Sequence, residues 1–214
     1  MKILHHDILS EVETLDRLRN VRLKGFGRPF IYRYADIRVL ESFPQALLTP
    51  PQRYVLRGTV DTIIDLAKTF ERLGVDIFAL RGALLFWTEG MKVDAVNCPP
   101  IPFLPPIVEL SEEKGGVKVM LVNDGMHREF AGIEMGRKPN IIFIDNLPPG
   151  YPYYAYGFNG GWENVQVFEE LPDVFQKKDY RMPDSYKDLF RQFNEVFPGV
   201  QEARKQSNPE HIKP

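Results

Sequence analysis

The chain has 214 residues, a formal net charge of −2, 43% hydrophobic and 26% charged residues, the ordinary make-up of one good-sized globular unit in water. The slight acidity argues against a general nucleic-acid binder, which carries a basic excess. A single cysteine, Cys98, excludes an internal disulfide and a four-cysteine zinc site, and fits a reducing compartment.

The opening MKILHHDILSEVETLD is too charged for a signal peptide, and no apolar run approaches a membrane span. A cytoplasmic location without a membrane partner is expected. His5-His6-Asp7 has metal-binding residue types, although a solvated terminal pair is the default reading. Asp7 to Arg19 fits a short helix with Ile8, Val12, Leu15 and Leu18 on one face. Lys24 to Pro29 is Gly-rich punctuation, and Phe30 to Leu40 reads as a strand. After the Thr49-Pro50-Pro51 break, Thr59 to Leu73 is a clear helix. Thr59 is its expected cap, Ile63, Leu66, Ala67 and Phe70 line its face, and Gly74 ends it. Val75 to Trp87 is apolar and open between helix and strand, and Gly90 to Leu104 is a Pro-interrupted connection. Ile107 to Leu110 and Val117 to Val122 read as a hairpin around Glu112 to Gly116.

Lys118 to Asp145 forms strand, tight turn, helix, turn, strand. Val117, Val119, Leu121 and Val122 are β-prone, and Asn123-Asp124-Gly125 breaks the run. Phe130, Ala131, Ile133 and Met135 fit a helical face, with Gly136 and Pro139 as the stop. Ile141 to Ile144 make a second buried-type strand. The polar residues Asp124, Gly125, His127 and Arg128 gather at the first turn, where amides at a helix start have no intrahelical acceptor and attract anions.

Each residue of that turn has a chemical use. Gly125 lets the backbone turn sharply and approach a phosphate. The amides of residues 125 to 128, Met126 included, would face it. Arg128 offers a planar fork for phosphate oxygens. His127 can donate a hydrogen bond or move a proton near neutral pH. Asp124 can cap the helix, hold a metal ion or act as a general base; as residue types go, a plain cap weighs as much as the other two together. Arg53, Arg57 and Arg81 could add phosphate contacts, with surface solvation as the default.

Downstream, Leu147 to Trp162 is too rich in Tyr, Gly and Pro for a regular helix. Tyr151, Tyr153, Tyr154, Tyr156 and Trp162 either pack this excursion onto a core or stack on a ligand base, the first being favoured. Val165, Val167 and Phe168 suggest a strand. Ser185 to Phe197 fits a last helix with Tyr186, Leu189, Phe190 and Phe193 on one face, ended by Pro198-Gly199. Residues 201–214 read as a loose polar tail.

Asp124-Gly125-Met126-His127-Arg128 resembles the D-G-x-H-R signature of the ParB/sulfiredoxin-like superfamily. Pro105 to Leu110 is similar to the strand that precedes the signature there, and Gly136 to Ile144 to the strand that follows it. The resemblance covers residues 52–146 and implies an α+β fold, a mixed sheet with flanking helices. Sulfiredoxin has its cysteine where this chain has Met126, which forms no thiolate, so sulfinic-acid reduction is not expected. Partition ParB proteins have a Gly-x-x-Arg phosphate box, matched by Gly125 and Arg128, but then a helix-turn-helix that residues 147–214 do not resemble. The free-serine kinase branch is closest in motif chemistry. There the motif Asp is catalytic and the residues after it hold phosphates; the second catalytic carboxylate has no clear match here.

The expectation is therefore one globular unit of residues 1–214. It has a core at 52–146, a Tyr/Gly/Pro-rich extension at 147–200 packed on that core, and the tail. The leading function is nucleotide binding, with phosphoryl transfer of a small-molecule-kinase kind or nucleotide hydrolysis. Asp124 and His127 are the catalytic candidates, Gly125, Met126, His127 and Arg128 the phosphate-binding ones, and Asp124 the metal ligand. Mg²⁺ and ATP, ADP or CTP are the expected cofactor and ligands, an unknown small molecule the acceptor, and a homo-oligomer an open possibility. The rivals are a non-catalytic nucleotide-sensing or protein-interaction module and a ParB-like DNA-associated protein, the charge arguing against DNA.

Overall fold

The structure is a computed structural model that describes residues 1–89, 91, 99–171 and 175–200. Cys98 and the expected tail lie outside the described residues.

The first element is a strand, β1 (Ile3–Ile8), not the start of a helix. Ser10 then begins α1 (Glu11–Leu18) with a reciprocal cap. Its hydroxyl accepts the Glu13 N–H at 3.2 Å, and the Glu13 carboxylate accepts the Ser10 N–H at 2.9 Å. The buried face is Thr14 and Leu18, and Val12, expected inside, is exposed. Only the end of the expected strand at 30–40 is regular: β2 is Asp36–Leu40. β3 (Leu48–Thr49) and β4 (Tyr54–Leu56) follow. α2 (Arg57–Glu71) begins two residues before Thr59, which therefore does not cap it; Leu56 holds the cap position without a side-chain bond. Leu66, Ala67 and Phe70 are buried as the spacing requires. The ambiguous apolar stretch resolves into turns followed by β5 (Leu84–Thr88). β6 (Ile101–Phe103) lies within the Pro-rich connection. The signature region then runs β7 (Ile107–Glu112), β8 (Lys118–Asp124), α3 (Met126–Glu134) and β9 (Ile141–Asp145). β10 (Ala155–Tyr156), β11 (Gln166–Phe168) and β12 (Asp179–Tyr180) complete the set.

A five-stranded mixed sheet runs in the order β2-β9-β7-β8-β3. β7 and β8 form the expected hairpin, β9 lies parallel to β7, and β2 and β3 flank the sheet. Alternate residues of β9 serve different cores. Ile142 and Ile144 join Leu18, Tyr32, Ile37 and Phe197, whereas Ile141 and Phe143 join Leu48, Val108 and Val122. A strand covered on both faces has no polar face to present, so the unbroken Ile-Ile-Phe-Ile run follows. A three-stranded antiparallel sheet β1-β5-β6 packs with α2 and α3 through Phe70, Phe86, Phe103, Met126 and Ala131. Arg57, at the start of α2, closes on Glu134, in the last turn of α3, at 2.8 and 2.9 Å. Arg57 is thus spent on helix packing, and Arg81 pairs with Glu11 and Glu41.

The expected helix over 185–197 is instead two 3₁₀ turns, Tyr186–Leu189 and Phe193–Glu195. Its backbone is claimed by residues 22–24: Lys24 N–H donates to the Phe190 carbonyl and Gln192 N–H to the Arg22 carbonyl, both at 2.9 Å. An α-helix through these residues would need the Phe190 carbonyl for its own ladder. Tyr186, Leu189 and Phe197 are buried all the same.

Candidate functional site

The signature lies where β8 hands over to α3. Asp124 is the last residue of the strand and Gly125 the cap of the helix, at φ 101°. A Cβ at Gly125 would lie 2.9 Å from Arg128 Nε and 2.9 Å from Pro106 Cα. Both the left-handed backbone and the close approach require glycine. The first α-helical bond runs from Glu129 N–H to the Gly125 carbonyl at 2.9 Å. Among the described residues the amides of Met126 and Arg128 donate to no backbone acceptor, as expected of a first turn.

Asp124 does not cap the helix. Its half-exposed carboxylate pairs with Arg128 one turn on, and the Arg128 guanidinium also donates to the Leu104 carbonyl and lies over the Phe103 ring. His127 Nε2 accepts the Leu56 N–H at 3.2 Å, which satisfies an amide at the start of α2. An accepting Nε2 places the imidazole proton on Nδ1. Met126 points into the core and is 5% exposed. The fold thus brings Asp124, Gly125 and Arg128 to one edge, while Met126 and the Nε2 side of His127 face inward.

Behind this edge is a residue the sequence reading passed over. Glu129 is fully buried, and neither carboxylate oxygen has a hydrogen-bond partner among the described residues. The neighbouring Gln45 amide donates instead to the Arg137 carbonyl at 3.0 Å. Burial pushes the Glu129 carboxyl up to about 8, with the charge of Arg128 pulling the other way. A glutamate on an otherwise apolar helix face was the available signal.

A second polar network starts at Asn123. Its amide donates to Glu109 and to the Tyr32 hydroxyl, and its carbonyl accepts from the Tyr153 hydroxyl at 3.1 Å. Glu109 also pairs with Arg191. The aromatics of 151–162 mostly pack: Tyr153 is 1% exposed, Tyr154 stacks among Tyr180, Tyr186 and Phe190, and Trp162 donates to the Leu48 carbonyl at 2.8 Å. His5 and Asp7 form an exposed pair at 3.1 Å on β1.

The match to a family model decides the relationship: the model of the ParB CE domain covers residues 13–166. The chain belongs to the ParB CE domain family. Comparison with curated proteins and with solved structures finds no match. The ParB CE match begins well before residue 52 and ends beyond 146, so α1, β2 and the Tyr/Gly/Pro-rich stretch through Gln166 fall inside it. The mixed α+β architecture agrees with a ParB-like domain. Lys178 and Arg191 lie outside the matched span. Among the described residues no helix is long and apolar enough to cross a membrane.

Proposed function

We propose that residues 124–128 bind the phosphates of a nucleotide and that the reaction is phosphoryl transfer to a small-molecule acceptor or nucleotide hydrolysis. The observation that carries this reading is the Asp124–Arg128 pair beside the first turn of α3. Arg128 holds one carboxylate, that of Asp124. A phosphate brings more charge and more oxygens to the same fork, assisted by the helix start, and would displace Asp124. Asp124 is then released to solvent as a base or a metal ligand.

The residues suit Mg²⁺ in a limited way. Among the described residues no three His, Cys, Asp or Glu side chains converge as a metal cage. Asp124 offers one carboxylate, which fits a cation shared with phosphate oxygens. When bound, the cation would supply charge neutralisation at the phosphates. His127 serves better as a positioning donor than as a base, because its Nε2 lone pair is engaged by Leu56.

A non-catalytic nucleotide-sensing or protein-interaction module is the second reading. It draws on the bracing contacts of Arg128 with Leu104 and of His127 with Leu56. Calorimetric titration with ATP, ADP and CTP, with and without Mg²⁺, followed by a turnover assay, separates the readings. Binding that Arg128→Ala abolishes, with turnover, supports the first. Binding without turnover supports nucleotide sensing, and no binding of any nucleotide rejects the first reading and leaves only the protein-interaction form of the second.

A further inference from the structure

Charge is unevenly placed along the chain. Residues 17–38 hold seven of its 27 Lys and Arg side chains and one of its 29 Asp and Glu side chains. The net charge of −2 therefore averages a basic stretch with an acidic remainder. Among the described residues only Arg28 of the seven cations has an ion pair, with Glu195. The one acid, Asp36, accepts from the Asn146 amide.

Contacts join four of these cations into one surface. Arg22 and Phe30 pair across an isolated bridge after α1. The Arg22 Cζ lies 3.7 Å from the Phe30 ring centroid and the Arg33 Cζ 3.4 Å from it. Two guanidiniums that close cannot share one side of a ring, so one covers each face and the charges stand about 7 Å apart. Arg22 also donates to the Arg28 carbonyl, and Arg19 to the Ala35 carbonyl, both at 3.1 Å. Between Arg33 and Ala35 stands Tyr34, 91% exposed and without a ring partner among the described residues. Two like charges on one ring, with no carboxylate at either, repel each other, and an anion set against both relieves that repulsion. The ring also restricts the guanidinium planes in advance, so less side-chain entropy is lost when phosphate oxygens meet their outer edges. The free Tyr34 ring beside them adds a surface on which any base can stack. A lipid or protein anion satisfies the cations but offers Tyr34 no base, and a duplex keeps its bases stacked on one another.

We infer that Arg19, Arg22, Arg33 and Tyr34 form a binding surface for single-stranded nucleic acid. The guanidiniums hold backbone phosphates and Tyr34 stacks on a base. The inference is independent of the nucleotide reading at residues 124–128.

The test uses the full chain and fluorescence anisotropy with labelled oligouridine, oligothymidine and a duplex of equal length, over a range of salt. Both single strands should bind more tightly than the duplex, and their ratio gives the sugar preference. Tyr34→Ala should weaken single-strand binding about tenfold, the worth of one base stack, and leave the salt dependence unchanged. Arg33→Gln should lower the slope of log affinity against log salt by about 0.7, one phosphate contact on a single strand. Both side chains are exposed, so neither change disturbs the core. No single-strand binding by the parent at low salt overturns the inference, as does equal affinity for the duplex. Parent-like affinity and salt slope in both variants also overturn it. So does binding to phosphatidylserine vesicles that the oligonucleotides do not compete. Loss of strand binding in Arg128→Ala but not in Arg33→Gln would place the strand at the turn of residues 124–128 and overturn it too.

Discussion

Arg191 closes on Glu109 from the side: its Nε and Nη2 each lie 2.9 Å from a carboxylate oxygen, and both side chains are 1% exposed. Burial alone would lower the Arg191 pKa, but Glu109 more than reverses that. The rest of the guanidinium is spent on the carbonyls of Leu189, Tyr151 and Pro152. Removing one partner leaves a buried charge without its counter-ion. Arg191→Met should therefore cost about 3–5 kcal/mol in urea denaturation. The double variant Arg191→Met, Glu109→Leu should recover much of that loss. A single variant within 1 kcal/mol of the parent, roughly the worth of a surface pair, would show that the pair is not desolvated as described.

Glu129 sets a pH dependence of stability. Its folded-state pKa of about 8 stands above the ordinary 4.5. Between those values the folded chain keeps a proton that the unfolded chain has lost. The stability contribution is full below about pH 4.5, falls as pH rises, and is gone above about pH 8, by roughly 1.4 kcal/mol per unit at most. Melting temperature against pH should show this decline in the parent and a flatter curve in Glu129→Gln. Parallel curves would mean that Glu129 is solvated or paired.

Gly125→Ala tests the turn. The left-handed backbone and the approach to Arg128 and Pro106 both oppose a methyl group there. A loss of about 1–3 kcal/mol is expected, larger than for a typical surface substitution. Gly74, also at positive φ but with open space around its Cβ position, is the control. Gly74→Ala should cost less.

Asp124→Asn tests the proposed release. The asparagine cannot hold Arg128 as a full carboxylate does, so phosphate competes with less. Metal-free nucleotide affinity should rise several-fold, and any turnover should fall steeply. Folding should change little, because Asp124 does not cap α3. Calorimetry and a turnover assay read the two effects separately; a fall in both affinity and melting temperature would mark Asp124 as structural only.

Much of the central fold was legible because its signals are local. α2 and α3 rest on a helical period, and the β7–β8 hairpin and the Ile141 to Ile144 strand on short β-prone apolar runs bounded by turn residues. Failures came where distant chain made the decision. Residues 186–197 have helical spacing, yet their backbone groups pair with residues 22–24, which no local pattern announces. Asp7 and Ile8 were drawn into β1 by pairing with Leu84 and Leu85. At the turn, residue types gave Asp124, Gly125 and Arg128 as neighbours. They could not tell that Arg128 also reaches Leu104, or that His127 turns toward Leu56.

The separation of Glu109 from Arg191 has a consequence for synthesis. The two are 82 residues apart, so a ribosome adding about 5–20 residues per second exposes the acid for several seconds before its counter-charge exists. During that interval β7 can pair with β8, but the Glu109 side chain must stay wet. The nascent sheet therefore keeps one face open to water until the last segment arrives. That interval is when a chaperone or a neighbouring nascent chain has access to this surface.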